Sequence, residues 1–337
     1  MRAMPRVATS AVSTATVSVV IAAYNAGRTL RATLESALAQ THPRREIIFV
    51  DDGSSDDTEA ILASYRTRIR VIRRPHGGLA AARNAGVAAA AGEYLALLDA
   101  DDLWTPDKLA VQLAVARRVP TAGLIACDGI EFAEGRVLRQ RLLVGPLAAA
   151  LAASRQDLVS GDFHRELIRG NPISCPAQVL IPRRVVETVG TFGDFDGQDY
   201  DYYLRIAQRL PVVLHRDSLV RWRYRPEGMS GPLEGRKLCW DRMELPVLQA
   251  HRRRCRGEER RLLDARTRKV VRDLAKDACR RGLQGDRAGA HRELVALLRA
   301  RPWRPTALRY WLRLQAQGPL RNAAARTLRS VGRSGAR

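Results

Sequence analysis

Short apolar runs without helical periodicity alternate along the first third of the chain with segments that have it. Residues 17–22, Val-Ser-Val-Val-Ile-Ala, form a β-branched block and predict a buried parallel strand. From 29 to 40, Leu30, Leu34, Ala37 and Leu38 recur at helical spacing, and Pro43 ends the pattern. Residues 46–50 predict a second buried strand, running directly into Asp51-Asp52-Gly53. A helix is expected from Asp57, as its N-cap, to Tyr65. A third strand at 69–72, an Ala-rich helix at 79–90 and a fourth strand at 94–98 follow, the last ending in Asp99.

Strand and helix alternating at this spacing predict a doubly wound, Rossmann-like, mostly parallel sheet flanked by helices. In such sheets the ligand crevice lies at the carboxyl ends of the strands. Asp51-Asp52 and Asp99-Ala100-Asp101-Asp102 both fall there. Beyond 103 the pattern mixes strands and loops. It suggests a helix at 107–117, a strand at 178–181 and a helix at 183–189. A glycine-bearing loop at 190–197, a helix at 199–210 and a strand at 212–214 follow. Residues 137–170 carry no clear period. From about 237 onward the pattern is helical, with breaks expected at Gly282, Gly285, Pro302 and Pro305. The expected organisation is a loose leader at 1–16, a nucleotide-binding half at 17–110, a second half of the same domain at 111–236, and a helical basic extension at 237–337.

Charge changes the picture of that extension. The net +22 is concentrated there: residues 241–337 hold 26 Lys+Arg against 9 Asp+Glu, whereas residues 1–240 hold 31 against 26. A basic tail suits an anionic lipid surface, a nucleic acid or a polyanionic product; a solvated helix face is the plainer reading. Interleaved aromatics and a nucleic-acid motif are lacking, so nucleic acid is not the expected partner. Leu294, Leu297, Leu298, Trp303, Tyr310 and Trp311 would suit an amphipathic membrane-facing surface, although this spacing more often marks core. Five widely spaced cysteines without a CxxC pair fit reduced, packed thiols rather than a disulfide scaffold or zinc site. No apolar run approaches the roughly 20 residues of a membrane span. A cytoplasmic protein, soluble or peripheral at the inner face of the plasma membrane, is expected.

Three acidic groups are candidates for chemistry. Asp99 and Asp101, one residue apart in a turn, suit a hard divalent cation, Mg²⁺ or Mn²⁺, that neutralises a diphosphate leaving group. Asp102 adds a third carboxylate, and like charges so close call for a counterion. Asp51-Asp52 before Gly53 can accept hydrogen bonds from a base or ribose, or simply form a turn. Asp199, opening a helix after the 190–197 loop, can take a proton from a hydroxyl or serve as a cap, as Asp201 would equally. Arg83 offers a planar charged donor to phosphate or ribose. The chain has no GxGxxG, Walker or GxSxG pattern and no HExxH spacing, and its histidines are assigned no metal role.

These residues, in this order, closely resemble family 2 inverting glycosyltransferases. The resemblance rests on Val17 to Asn25, on Glu35-Ser36 with Leu38 and Gln40-Thr41, and on Glu46 to Asp56. It continues through Gly77-Gly78, Ala81 to Gly86, Gly92-Glu93-Tyr94 and Leu98 to Asp102 with Trp104 and Pro106. It covers about 17–110 densely. A weaker match runs to about 210 through Val189-Gly190, Phe192 and Asp199 to Arg205. Two departures stand out. The family's usual acidic pair before the last helix is Gln198-Asp199 here, and Ala22-Ala23 replaces the usual proline or threonine before Tyr24-Asn25.

The resemblance implies a GT-A type fold and a nucleotide-diphospho-sugar donor. It implies that Ala22 and Tyr24 line the nucleotide pocket, Asp52 contacts the base, Asp51 supports the turn and Arg83 lies near ribose or diphosphate. It places Asp101 on the metal, with Asp99 on the nucleotide-sugar side and Asp102 a further ligand candidate, and makes Asp199 the catalytic base. The expected acceptor is a hydroxyl of a surface glycan or lipid-linked saccharide. Two other readings compete. A sugar nucleotidyltransferase also uses strand-end acids with Mg²⁺, but it needs a Lys-bearing triphosphate loop that Tyr24 to Gly27 does not offer. A non-catalytic binding protein would work through its basic tail.

Overall fold

The computed structural model describes residues 14–226, 236–299 and 304–316, and the chain divides into two units, 1–228 and 229–337. The first unit opens with β1 (Val17–Ala23), α1 (Leu30–Leu38), β2 (Arg45–Asp51), α2 (Thr58–Ala63), β3 (Arg70–Arg73), α3 (Leu79–Ala89) and β4 (Tyr94–Leu97). All seven residues of β1 are buried, as the β-branched run predicts for a central strand. It pairs in parallel with β2 on one side and β4 on the other, and β2 pairs in parallel with β3.

The unit continues with β5 (Leu103–Trp104), α4 (Lys108–Arg118), β6 (Leu124–Ala133), β7 (Arg136–Arg139), α5 (Gly145–Ala153), β8 (Leu158–Gly161) and α6 (His164–Arg169). It closes with β9 (Val179–Pro182), α7 (Arg184–Val189), α8 (Gln198–Ala207) and β10 (Val212–Arg223). The sheet order is β3-β2-β1-β4-β9-β6-β10-β5, with β7 on β6 and β8 on β10. The two parallel blocks, β3 to β4 and β6 with β10, are joined only through β9, which runs antiparallel to both neighbours. This is the mostly parallel, helix-flanked sheet expected.

Packing explains why the helix preceding β4 is so rich in alanine. The inner face of α3 consists of Ala80, Ala82, Arg83, Gly86 and Val87. A Cβ at Gly86 would fall 2.3 Å from Val20 Cγ1 on β1, so only glycine lets the helix approach this closely. The close approach carries Arg83, one turn earlier, over the strand ends.

Several local expectations need correction. Asp57 occupies the N-cap position of α2 but makes no capping bond. Asp56 does that work instead, accepting from the Thr58 N–H at 3.0 Å and the Gly27 N–H at 2.9 Å. Those bonds hold its carboxyl below the usual range against the opposing effect of burial. The strand expected at 212–214 runs on to Arg223, and the region without period, 137–170, holds two short strands, which pair with β6 and β10, and two short helices.

The second unit is helical: α9 (Arg236–Arg254), α10 (Gly257–Leu283), α11 (Arg287–Arg299) and α12 (Arg304–Ala316). The break expected at Gly282 and Gly285 is present: α10 ends at Leu283, and Gly285 follows at φ +124°. Gly282 itself lies buried in the last turn of α10, where a Cβ would meet Leu314 at 2.6 Å and Ala290 at 2.8 Å. Leu294, Leu297, Leu298 and Trp311 are core, packed with Leu263, Val270, Val271 and Leu274, so they offer no membrane-facing apolar surface. Trp303 and Pro302 lie outside the described residues. The acids of this unit are largely committed to internal pairs, such as Arg266 with Glu244 at 2.6 Å and Arg281 with both Asp277 and Asp286. The cations at 261, 268, 269, 272 and 276 of α10 are exposed. Among the described residues no helix is long and apolar enough to cross a membrane.

One buried cation stands out in the first unit. Lys108 is fully buried at the start of α4, its ammonium 4.0 Å from the Trp104 ring centre and donating to the Val179 carbonyl at 3.1 Å. Burial lowers its pKa to about 7. The unfolded chain holds that proton up to about pH 10.5. Folding therefore expels a proton between these values, and stability rises with pH across that window. Lys108→Met should remove the rise and gain most in relative stability below pH 7. Thermal midpoints of both proteins from pH 6 to 10 check this; parallel curves would refute it.

Candidate active site

The acidic turn after β4 is held by threonines of α1. The fully buried Thr33 hydroxyl lies 3.0 Å from the carbonyls of both Ala100 and Asp102 and shares its one proton between them, and Thr29 donates to the Ala100 carbonyl at 2.8 Å. The turn closes on itself through the Asp102 N–H and the Asp99 carbonyl at 3.0 Å. Gln40, at the end of α1, clamps the next stretch by donating to the Thr105 carbonyl at 2.7 Å and accepting from the Leu109 N–H at 3.0 Å. Sequence reading treated Thr29 and Thr33 as helix residues only. Their spacing of four, which puts both hydroxyls on one face, was the available signal.

The three carboxylates of the turn then separate by environment. Asp99 is the partner of Arg83 at 2.7 Å. Asp101 pairs with Arg225 at 2.7 Å, while Arg223 donates to its carbonyl at 2.8 Å. Burial and the charge of Asp99 push the Asp101 pKa up, and Arg225 opposes them. Asp102 is fully buried. One of its oxygens accepts from the Arg223 N–H at 2.9 Å and the other has no partner among the described residues. Burial and the charges of Asp101 and Asp99 push its pKa well above the usual carboxylate range.

This donor set fits a divalent cation in part. Asp99 and Asp101 offer hard oxygens at a partly open edge. Mg²⁺ and Mn²⁺ commonly take one or two carboxylates and complete their shell with phosphate and water. Asp102 faces inward, toward the β10 backbone. Among the described residues no three His, Cys, Asp or Glu side chains form a cage sufficient by itself.

The acidic pair after β2 also divides. Asp51 accepts from the Ser54 N–H at 2.9 Å and shapes the turn. Asp52, buried, pairs with Arg74 and accepts from the Gly78 N–H at 2.8 Å. The ring of His76 lies 3.0 Å from it and stacks against Tyr24, with centroids 4.2 Å apart. Tyr24 is half exposed, whereas Ala22 is buried at the end of β1. Arg74 and His76 are additions that sequence reading did not make. Gly53, at φ +83° and with its Cβ direction 2.9 Å from the His76 nitrogen, is what lets the 74–78 loop lie against Asp52.

Asp199 comes from the far half of the unit. Its helix α8 begins after Gly197, at φ 79°, and no side chain caps it. Among the described residues Asp199 accepts only from the neighbouring Tyr200 N–H at 2.9 Å, whereas Asp201 is tied to Arg205 at 2.8 Å. Arg83 lies within electrostatic reach of Asp99, Asp199 and Tyr203 together; burial opposes its charge, and the two aspartates hold its pKa up regardless. Burial raises the Asp199 pKa, with Arg83 opposing. Such a carboxylate is a better base than a solvated one. The Tyr203 hydroxyl, buried beside the same groups, has no hydrogen-bond partner among the described residues.

The next residue on α3 fixes the loop that leads to Asp199. The Asn84 side chain donates to the Phe192 carbonyl and accepts from the Phe192 N–H, both at 2.9 Å. It copies the pairing of a neighbouring strand, and Arg83 lies 6.0 Å over the Phe192 ring. Asn84→Ala leaves two backbone groups unpaired and should cost about 1–3 kcal/mol. Amide hydrogen exchange across 190–199 should rise, and Asn84→Asp, which loses only the donor, should fall between. Unchanged protection in the alanine variant would refute the bracket.

Comparison with known proteins identifies the family and the fold. The family model for glycosyl transferase family 2 matches residues 18–188. An uncharacterized glycosyltransferase of Rickettsia felis is 29% identical over 215 residues, covering 63% of this chain and 34% of its own length. The chain thus spans about a third of that relative. The Escherichia coli UDP-Glc:alpha-D-GlcNAc-diphosphoundecaprenol beta-1,3-glucosyltransferase WfaP is 46% identical over 99 residues, 29% of this chain and 39% of that one. Among solved structures, S. aureus TarS 1-349 in complex with UDP superposes with a TM-score of 0.60 at 16% identity, covering 95% of this chain and 90% of that chain. The Pyrobaculum calidifontis mannosyltransferase PcManGT, in complex with GDP-Man and Mn²⁺, gives 0.55 at 19% identity, covering 95% and 80%. The fold is GT-A-like, and the chain belongs to glycosyl transferase family 2.

Proposed function

We propose that this protein transfers a sugar from a nucleotide-diphosphate sugar to a hydroxyl of a surface glycan or lipid-linked saccharide, with inversion at the anomeric carbon. One observation carries the reading. Arg83 pairs with Asp99, after β4, and lies within electrostatic reach of Asp199, at the start of α8, so an acidic donor turn and a half-buried carboxylate base lie near one guanidinium. Family membership supports transfer from a nucleotide sugar. WfaP, a partial relative, acts on a lipid diphosphate-linked sugar, which supports the acceptor class.

In this reading Tyr24 and His76 give the nucleoside a stacking surface, Asp52 and the turn shaped by Asp51 read its polar edge, and Ala22 forms the floor. Asp99 and Asp101 would hold Mg²⁺ or Mn²⁺ against the diphosphate, with Asp102 fixing the turn from inside. A bound cation supplies charge neutralisation for the leaving nucleoside diphosphate. Asp199 accepts the proton of the acceptor hydroxyl as its oxygen bonds to the anomeric carbon and the bond to phosphate breaks. One carboxylate suffices, because attack comes from the face opposite the leaving group. The charge of Arg83 favours the ionised form of Asp199 against the effect of burial.

Asp199→Asn should lower kcat by at least about 100-fold while nucleotide-sugar binding persists. Asp101→Ala should weaken both Mn²⁺-dependent donor binding and turnover. Product NMR should show the opposite anomeric configuration to the donor. Full activity in both variants would sink the mechanism, and pyrophosphate release from a sugar phosphate and a nucleoside triphosphate would favour the nucleotidyltransferase alternative.

For the second unit we propose peripheral contact with an anionic membrane, through the exposed cations of α10 rather than through an apolar face. This reading puts the protein in the cytoplasm, at the inner face of the plasma membrane. Flotation with phosphatidylglycerol vesicles should depend on residues 241–337 and fall with salt. Equal flotation of full-length and truncated protein, or of neutral vesicles, would count against it.

A further inference from the structure

The end of β10 reads Arg221-Trp222-Arg223-Tyr224-Arg225, cation and aromatic in strict alternation. Successive side chains of a strand point to opposite faces, so the three arginines share one face, about 7 Å apart. The ladder with β6 supports this beyond the strand's end, since the Tyr224 N–H donates to the Phe132 carbonyl at 2.8 Å. Arg221 and Arg223 stack on one ring, their guanidinium carbons 5.0 and 4.6 Å from the Phe132 centroid. Arg223 and Arg225 converge on Asp101, one at its carbonyl and the other at its carboxylate.

Three guanidiniums on one edge repel one another unless acids balance them. Asp101 is the one carboxylate paired with them among the described residues. Arg139 belongs to the opposite face, over Trp222, and has Glu131 as its own partner. Stacking on Phe132 satisfies the faces of Arg221 and Arg223 but not their N–H edges. Arg221 is exposed and has no carboxylate partner among the described residues, and the Arg225 Nε has no acceptor there. Planar donors held by stacking, with open edges and surplus charge, are suited to bidentate recognition of phosphate.

We propose that Arg221, Arg223 and Arg225 form a phosphate-binding site for the acceptor, which therefore carries a phosphate or diphosphate group. The inference rests on the glycosyl-transfer reading, because Asp101 joins this ladder to the donor turn. It narrows the acceptor from any saccharide to one bearing phosphate near the sugar that receives the transfer. That phosphate can belong to a lipid diphosphate or to a water-soluble phosphate ester.

Calorimetric titration of the full chain in EDTA tests the site without divalent-cation-dependent donor binding. The probes are farnesyl diphosphate, inorganic pyrophosphate and farnesol. Farnesyl diphosphate should bind, with affinity falling as salt rises, and Arg221→Gln and Arg225→Gln should each weaken it about tenfold. Arg221→Lys should recover part of the loss, and unchanged thermal midpoints establish that the variants are folded. Pyrophosphate binding as tightly as farnesyl diphosphate would assign the site to phosphate itself; tighter farnesyl diphosphate would assign it to a lipid-linked acceptor. Equal binding of farnesol, or variants that bind as the parent does, would overturn the proposal. A separate thermal-shift titration with nucleotide sugars and Mn²⁺ keeps the two readings apart. A donor response without farnesyl diphosphate binding sinks the arginine site alone, and anion binding without any donor response sinks the transferase reading.

Discussion

Arg83 is a buried cation whose position is set by packing and whose charge is kept by two carboxylates from different parts of the chain. A guanidinium in a protein interior is tolerable only where it is paired and hydrogen-bonded. Asp99 provides the direct bond, and Asp199 provides charge from the other side. The dependence runs both ways, since Arg83 is the cation paired with Asp99 and the one that favours the charge of Asp199 among the described residues. Removing the guanidinium would leave two like charges facing each other across a desolvated space. The close seat of α3 on β1, the threonine-held turn after β4 and the Asn84 bracket on the Asp199 loop all serve to keep these three groups in register.

Much of the donor half was legible in the sequence, because its signals are local. A β-branched run such as 17–22 can be buried only as a central strand, and acids placed directly after such runs must lie along the crevice. The alanine content of α3 was legible as helix but not as a reason. That reason is a contact between Gly86 and Val20, more than 60 residues apart. Asp199 was found through its loop and helix start. Its coupling to Arg83 was not, because nothing in a linear pattern shows which distant residues meet.

Other features were missed for particular physical reasons. His76 was set aside for want of metal-ligand spacing, yet it works as a ring against Tyr24 and a neighbour of Asp52. Nothing in the sequence singles out Lys108, and only the tertiary fold brings it against Trp104 and the Val179 carbonyl. Gly282 was legible as part of a helix break, but not its second role, in which its lack of a side chain serves contact with Leu314. The leucines and tryptophan of the second unit had the spacing of a membrane face and turned out to be core. Helical amphipathicity reports that a face is covered, not by what.

The antiparallel strand β9 has a bearing on how the chain reaches its fold. Until residues 179–182 leave the ribosome, the outer edge of β4 has no partner, and the first parallel block ends in an open row of backbone donors and acceptors. The neighbouring block is in the same position, for β6 also waits on β9 and pairs in parallel with a β10 made still later. The nascent chain thus carries an open β4 edge for roughly eighty residues of synthesis and an open β6 edge for roughly fifty. Sheet closure is then a late, non-local event of the kind that folds slowly and leaves strand edges open to wrong partners. β9 contributes four residues to the sheet, and through them it determines when the two halves become one.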